Sequence, residues 1–328
     1  MASFSETSFD AAGYSSNRPS YPPALYSYIA NCTRPVSSIE SSVTPRVCVD
    51  LGCGPGLSTF GFLSSEFNFD LVIGVEPGEG MVKVANRLLQ DRKSSEGEQV
   101  GGNRIKFQQG TAEDLSSIIS KDETVDLVVA CTSAHWFKDQ LKVYQEIARV
   151  LKPSGSFFFF TYSTLHFPTK PEFESLVREF NNDILGPYWS EPGHKLSETL
   201  LAQYPLPFES NFPQHLDITL KFDSKSFVRS FFLKSKETLL PELVKEEEGL
   251  IKVERFDNDQ TRMLRRVWDL EKVKNLLGTW SASHSWNQKH PGRNCAAEFV
   301  EKLKEAGWKE GEEYEVVWEI GTLYGRKK

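Results

Sequence analysis

The residues with the clearest chemical content are Asp50-Leu51-Gly52-Cys53-Gly54-Pro55-Gly56, directly after the β-branched run at 46–49. An acid at a strand end, followed by three glycines at alternate positions, lets the chain turn sharply and a ligand approach the backbone. The G-x-G-x-G spacing is not the dinucleotide fingerprint G-x-G-x-x-G, because Leu57 stands where its third glycine belongs. No Gly-Lys-Ser/Thr follows, which excludes the triphosphate-binding loop. Glu76 lies twenty residues beyond Gly56, at the end of a second apolar run. Its two acceptor oxygens suit the two hydroxyls of a ribose. Thr111-Ala112-Glu113-Asp114 forms a third station, and His135-Trp136 follows a fourth apolar run. His135 is the one well-placed base, should an acceptor need one. Tyr14, Arg18 and Tyr21 make an amphipathic cationic strip that could fold over a ligand and meet an anion.

The D-L-G-C-G-P-G stretch resembles the first motif of class I S-adenosylmethionine (SAM) methyltransferases. That resemblance implies SAM as cofactor, S-adenosylhomocysteine as product and no metal. It carries cofactor contacts onto Asp50, Gly52, Gly54, Gly56, Glu76, Ala112, Glu113 and Cys131. Asp50 would offset the methionine ammonium, directly or through water, while the loop amides face its carboxylate. Ala112 and Glu113 would lie beside the adenine.

The elements that must position these residues alternate in period. Strands are expected at 46–51, 69–75, 105–108, 125–130 and 156–162, with helices at 57–67, 81–92, 112–119 and 137–151 between them. Such alternation implies parallel βαβ units with ligands outside the C-terminal strand ends. The fold class expected is α/β: a Rossmann-like, mostly parallel doubly wound sheet with an antiparallel C-terminal strand and helical cap elements. An amphipathic helix precedes the first strand through Leu25, Tyr28, Ile29 and Cys32, and 37–44 reads as a linker. Residues 94–103 read as an exposed loop. Beyond 162, helices are expected at 173–184, 227–233, 270–286 and 296–306, with strands at 216–222 and 314–324. The charged run Lys245-Glu246-Glu247-Glu248 reads as a solvated face. The organisation is therefore an N-terminal lid segment and helix (1–45), a SAM-binding core (46–162), and cap elements interleaved with the last strands (163–328).

Bulk properties narrow the classes. The 328 residues are 39% hydrophobic and 12% aromatic, enough for a large core. A net charge of −7 without a basic stripe argues against nucleic acid as partner. Five cysteines lacking metal-ligand spacing read as thiols of a reducing compartment. No apolar run is long enough for a membrane span, and the first residues include Glu6 and Asp10 without an apolar signal region. A cytoplasmic location with no membrane partner is expected, and the sequence leaves the oligomeric state open.

Four further patches narrow the resemblance: Y-S-S-N-R-P-S-Y-P at 14–22, A-H-W-F at 134–137, G-P-Y-W-S-E-P-G at 186–193 and T-W-S-A-S-H-S-W at 279–286. Together they resemble the fungal trans-aconitate methyltransferase family, which includes a cantharidin methyltransferase. Where that branch often has Arg after the second glycine, this chain has His194-Lys195. The resemblance implies O-methylation of a small carboxylic acid, with Tyr14, Arg18, Tyr21, His135 and Trp136 orienting it. Trp189, Trp280, His284 and Trp286 could line an aromatic pocket. An N, S, C or phenolic O acceptor, and a non-catalytic SAM-fold partner protein, remain the alternatives.

Overall fold

The computed structural model describes residues 11–18, 20–33, 45–96, 103–208, 221–234, 251–257 and 263–328. Its centre is β5 (Leu151–His166), which carries four consecutive phenylalanines. Successive strand side chains point to opposite faces. Accordingly Phe157 and Phe159 enter one core cluster and Phe158 and Phe160 the other. The same division splits Leu127 and Val129 from Val128 and Ala130 in β4 (Val125–Cys131). A run that is apolar at every position therefore marks a sheet covered on both faces. Each buried Phe contributes roughly 1.5–3 kcal/mol.

The described residues form a nine-stranded sheet. Its first half is parallel, in the order β3 (Ile105–Gln109), β2 (Leu71–Glu76), β1 (Val47–Leu51), β4, β5. Beyond β5 lie β9 (Tyr314–Lys327), β6 (Phe222–Leu233) and β7 (Lys252–Asp257), with β8 (Arg265–Trp268) pairing onto β9. β9 runs antiparallel to both β5 and β6. The Rossmann-like sheet with an antiparallel last strand is thus the architecture expected from the sequence.

Helices cover both faces. α1 (Ala11–Asn17) leads into α2 (Pro23–Thr33), which starts on two prolines suited to a first turn and buries Leu25 and Ile29. α2 and α3 (Glu79–Glu96) pack on one face, and α4 (Gln140–Val150) packs on the other through Val143, Tyr144 and Ile147. The Asp139 carboxylate caps α4 by accepting from Lys142 N at 3.0 Å. Above the C-terminal strand ends sit α5 (Pro171–Arg178), which runs on as a π-helical turn (Glu179–Ile184), α6 (Gly193–Glu198), α7 (Leu270–Gly278), α8 (Ser281–Lys289) and α9 (Cys295–Glu305). Among the described residues no helix is long and apolar enough to cross a membrane.

Several local expectations fail for identifiable reasons. The segment 227–233, read as a helix, is the second half of β6. A short apolar run does not reveal its period, and here β9 and β7 are available on both sides. The expected helix at 112–119 is a series of turns. Asp114 accepts from the Ser116 amide and hydroxyl at 2.9 and 2.6 Å, satisfying locally what a helix would satisfy through its backbone. Residues 57–67 form only a short 3-10 helix at Thr59–Leu63, in which Gly61 lies against the Tyr26 ring. The helix expected at 270–286 breaks into α7 and α8, because Trp280 takes extended backbone between them. β7 and β8 had no counterpart in the sequence reading. The linker at 37–44, the run 245–248 and most of the strand at 216–222 lie outside the described residues, and α3 continues into the expected loop at 94–103.

A polar cluster ties the cap to the sheet. His166 Nδ1 is 3.0 Å from Glu174 and its Nε2 is 3.7 Å from Glu319. Lys234 bonds both carboxylates, through Nζ to Glu174 (3.1 Å) and through its amide to Glu319 (2.9 Å). Burial alone would lower the His166 pKa, but the hydrogen bonds and charges of Glu174 and Glu319 outweigh it and raise it to about 9. Burial likewise acts to raise Glu174, and His166, the Phe167 amide and Lys234 bring it down to about 2. A raised histidine stabilises the fold fully below its unfolded value of about 6.5, and the contribution is lost as pH rises through about 9. The depressed Glu174 contributes above its unfolded value of about 4.5, and that part is lost as pH falls through about 2. Thermal melts should therefore show stability declining between pH 7 and 9 by on the order of 2 kcal/mol, and His166→Gln should flatten that limb. A wild-type limb that the substitution leaves unchanged would remove His166 as its source.

Candidate active site

β1 pairs with β2 on one side and β4 on the other, so chain connections diverge there and leave a crevice beyond the C-terminal strand ends. A cavity of about 280 Å³ occupies it. One wall is the glycine loop. Gly52, Gly54 and Gly56 have φ of +66°, +55° and +83°, conformations that favour glycine. The three glycines nevertheless do different things. A Cβ on Gly52 would lie 2.6 Å from that of Ser133, and one on Gly56 would lie 2.5 Å from the Phe107 ring, so both permit close packing. A Cβ on Gly54 would meet no protein atom within 4 Å. Gly54 also lines the cavity, and its bareness faces the open space.

The acids occupy the ends of the expected strands. Glu76 lines the cavity, with Oε2 accepting from Gly54 N at 3.0 Å and Oε1 from Gly78 N at 2.8 Å. Burial raises its pKa, against the pull of the Gly78 and Gly54 amides. Each oxygen keeps acceptor capacity for one further donor. Glu113 and Ala112 also line the cavity, and Glu113 accepts from Lys138 N at 2.8 Å. Asp50 is fully buried beneath the loop and is not among the lining residues. Its Oδ2 accepts from Thr59 Oγ1 (2.7 Å) and Ser58 Oγ (3.0 Å). Burial raises its carboxyl to about 7, with the Thr59, Ser58 and Cys131 hydrogen bonds opposing. Cys131 lines the cavity at the end of β4.

A second, smaller chamber of about 90 Å³ adjoins the first. Tyr14, Arg18, Thr132, Trp136 and Tyr162 wall both. Arg18 Nη1 donates to Tyr162 Oη at 2.7 Å, Nη2 reaches the Thr279 carbonyl at 3.5 Å, and the guanidinium lies over the Tyr14 ring at 4.7 Å. Its buried Nε has no hydrogen-bond partner among the described residues. Among the described residues no carboxylate pairs with this cation. Tyr21 lines the first cavity and shares a 2.8 Å hydrogen bond with Thr132. Thr132 itself has φ +56°, a strained value for a β-branched residue at a strand end.

His135 lines the smaller chamber and not the larger, and its buried Nδ1 has no hydrogen-bond partner among the described residues. Burial, with the charges of Arg18 and His194, lowers its pKa to about 3. Of the four aromatic candidates, Trp189 and Trp280 line the chamber. The structure does not bring the other two to the pocket: Trp286 is core, stacked on His290, and His284 bonds Gln288 at the surface. Gly193 lets the G-P-Y-W-S-E-P-G patch close on A-H-W-F, since a Cβ there would sit 2.9 Å from the His135 carbonyl and the Trp136 ring. Sequence reasoning missed Thr132, Ser133 and Tyr162, although the rule that ligands lie beyond strand ends points to all three. Nothing local in the sequence marks Asn181 or Glu198, which reach the chamber from the cap.

Residues 49–159 match the family model described as a methyltransferase domain. CRG1, a probable S-adenosylmethionine-dependent methyltransferase of Saccharomyces cerevisiae, is 24% identical over 306 residues, spanning 92% of this chain and 90% of the relative. A trans-aconitate 2-methyltransferase of Variovorax paradoxus is 29% identical over 138 residues, 40% of this chain and 46% of the relative. A solved structure from Anaeromyxobacter dehalogenans, provisionally described as a type II methyltransferase, shares the fold at a TM-score of 0.60 and 20% identity, covering 94% of this chain and 97% of that one. These likenesses support SAM as the methyl donor.

Valine in place of Gly54 should lower SAM and S-adenosylhomocysteine affinity by roughly 100-fold or more in calorimetry, about 2.7 kcal/mol. Its branched side chain would enter the cavity at a strained φ, while the space around it leaves the core intact. Unchanged affinity would show that the loop does not cradle the cofactor.

Proposed function

We propose that this class I SAM-dependent methyltransferase transfers its methyl group to a carboxylate oxygen of a small organic acid, giving a methyl ester. The observation that carries the reading is Arg18. It is a cation wedged between the two chambers, bound to a tyrosine hydroxyl, a carbonyl and an aromatic face but to no carboxylate among the described residues. An arginine fork matches a carboxylate in shape and charge, and an acid at the junction would complete it.

The cofactor residues divide the larger cavity in this reading. The bare backbone at Gly52, Gly54 and Gly56 would lie against the methionine end, its amides already held by the Val75 carbonyl, Glu76 and the Cys53 carbonyl, and Asp50 would offset the ammonium from below. Glu76 accepts the ribose hydroxyls with its remaining lone pairs. Ala112 and Glu113 flank the adenine, and Cys131 lies alongside. When bound, SAM supplies a methyl group already activated by its sulfonium.

The chain then needs only to position the acceptor and exclude water. A carboxylate with an ordinary pKa near ~4 is ionised at neutral pH, so no base is required. The oxygen forms its bond to the methyl carbon as the carbon–sulfur bond breaks, the electron pair stays on sulfur, and no proton is released. His135 agrees with this scheme. With a pKa of about 3 it is neutral and a poor proton acceptor, suited to orienting an acid by hydrogen bonding. Trp136 and the Tyr14 and Tyr21 rings shield the junction.

Trans-aconitate, the acid named in the Variovorax paradoxus relative, is the first to assay. The product should release methanol in mild alkali, and a methyl group that survives that treatment would overturn the reading. Arg18→Lys should raise KM for the acid by about tenfold or more and leave KM for SAM nearly unchanged, because lysine keeps the charge but loses the fork. Apart from effects on binding, such as the titration of Asp50 at about 7, the rate at saturating SAM and acid should stay nearly flat between about pH 6.5 and 9, whereas a phenol, thiol or amine acceptor gives a rising limb.

A further inference from the structure

Arg18 walls both chambers, whereas Asn181 and Glu198 line the smaller one alone, and their chemistry is the opposite of its own. Asn181 is 4% exposed and comes from the π-helical turn after α5. Its amide nitrogen donates to Asn182 Oδ1 at 2.8 Å and to Glu198 Oε1 at 2.6 Å. Both of its donors are thereby used, and only its carbonyl oxygen is left to offer. Glu198, the acid beside it, presents acceptors alone when ionised, with Oε2 3.4 Å from His194 Nε2. The His194 ring is stacked on Trp189 at 4.3 Å and 3°, which fixes its plane. Glu191 also faces His194, adding negative charge at this end. Among the described residues lining this chamber, Arg18 is the sole lysine or arginine and Glu198 the sole aspartate or glutamate.

Resting on the carboxylate reading above, we infer that the chamber selects an acid with one negative charge and a remote hydrogen-bond donor. Arg18 takes the reacting carboxylate at the cofactor end, while Glu198 and Asn181 take a hydroxyl or an amine at the other. A second carboxylate in that place would face Glu198 and the Asn181 carbonyl, a like-charge juxtaposition without a cation to relieve it. His135 and His194 do not supply one, since burial lowers both pKa values. The volume of about 90 Å³ restricts the acid to a compact chain. Di- and tricarboxylates, trans-aconitate included, are then the disfavoured members of the acid class.

The test compares methyl transfer to butyrate, 4-hydroxybutyrate, 4-aminobutyrate and succinate, with the five- and six-carbon homologues of each and trans-aconitate alongside. The hydroxy and amino acids should exceed the dicarboxylate of equal length by tenfold or more in kcat/KM, with the plain acid between them. Glu198→Gln, which keeps shape and removes charge, should shrink that ratio to within about threefold. A wild-type preference for dicarboxylates or trans-aconitate would overturn the inference and leave methyl-ester formation standing. The same holds for a ratio that Glu198→Gln leaves unchanged. If none of these acids yields a methyl ester, the carboxylate reading fails and the inference falls with it.

Discussion

One buried carboxylate holds the arrangement on which the rest of the site depends. Asp50 ends β1 at the point where the sheet's connections diverge, and it is fully buried there. Removing an acid from water is costly unless donors meet it, and the Ser58 and Thr59 hydroxyls do so. Those bonds pull the chain after Gly56 back under itself, so the loop between must arch over the strand end. Two amides, Gly52 and Cys53, both donate to the Val75 carbonyl and bind the arch to the neighbouring strand. Glu76 then fastens the crest by accepting from Gly54. The loop is held at its base, flank and crest by buried polar contacts, and that leaves its middle glycine facing the cavity.

The second organising fact is that the smaller chamber is assembled from segments far apart in the chain. Arg18 lies 144 residues from its partner Tyr162 and 261 from Thr279. The break between α7 and α8 that places the Thr279 carbonyl and Trp280 at the chamber also ends one helix and begins another. The π-helical turn after α5 turns Asn181 toward the chamber, and the Asn181 backbone carbonyl accepts from Trp189 Nε1 at 3.1 Å. Irregular backbone of this kind recurs where a helix serves a site, because a regular i,i+4 ladder fixes side-chain directions that a π turn shifts. The cap is therefore more than a cover. Its irregularities supply Asn181 and the Thr279 carbonyl.

The parts legible in the sequence share a physical cause. The strands β1, β2 and β4 and the centre of β5 at 157–160 are apolar at nearly every position, since a sheet covered on both faces demands it, and that pattern survives any detail of packing. The glycine loop and the acids at strand ends are visible for a related reason: turn geometry and ligand approach act on single residues and their near neighbours. By the same measure 227–233 misled, because seven mostly apolar residues satisfy a strand and a helix alike. The turns at 112–119 misled because one Asp side chain outcompeted the helical backbone.

What the sequence determined by itself was the parallel half-sheet, the antiparallel strand that completes it, the glycine turn at Gly52–Gly56 with an acid at Glu76, and the strip at Tyr14, Arg18 and Tyr21. These follow from periodicity and from local backbone chemistry. Only the tertiary structure decided that Asp50 lies beneath the loop, that Tyr162 and Thr279 meet Arg18, and that Asn181 and Glu198 line the smaller chamber. It also sent Trp189 and Trp280 to the chamber and Trp286 to the core. The reason is that an aromatic or acidic side chain reads the same in a sequence whichever surface it meets. Its surroundings come from elements brought together by burial of distant apolar faces, and no local pattern records which faces will meet.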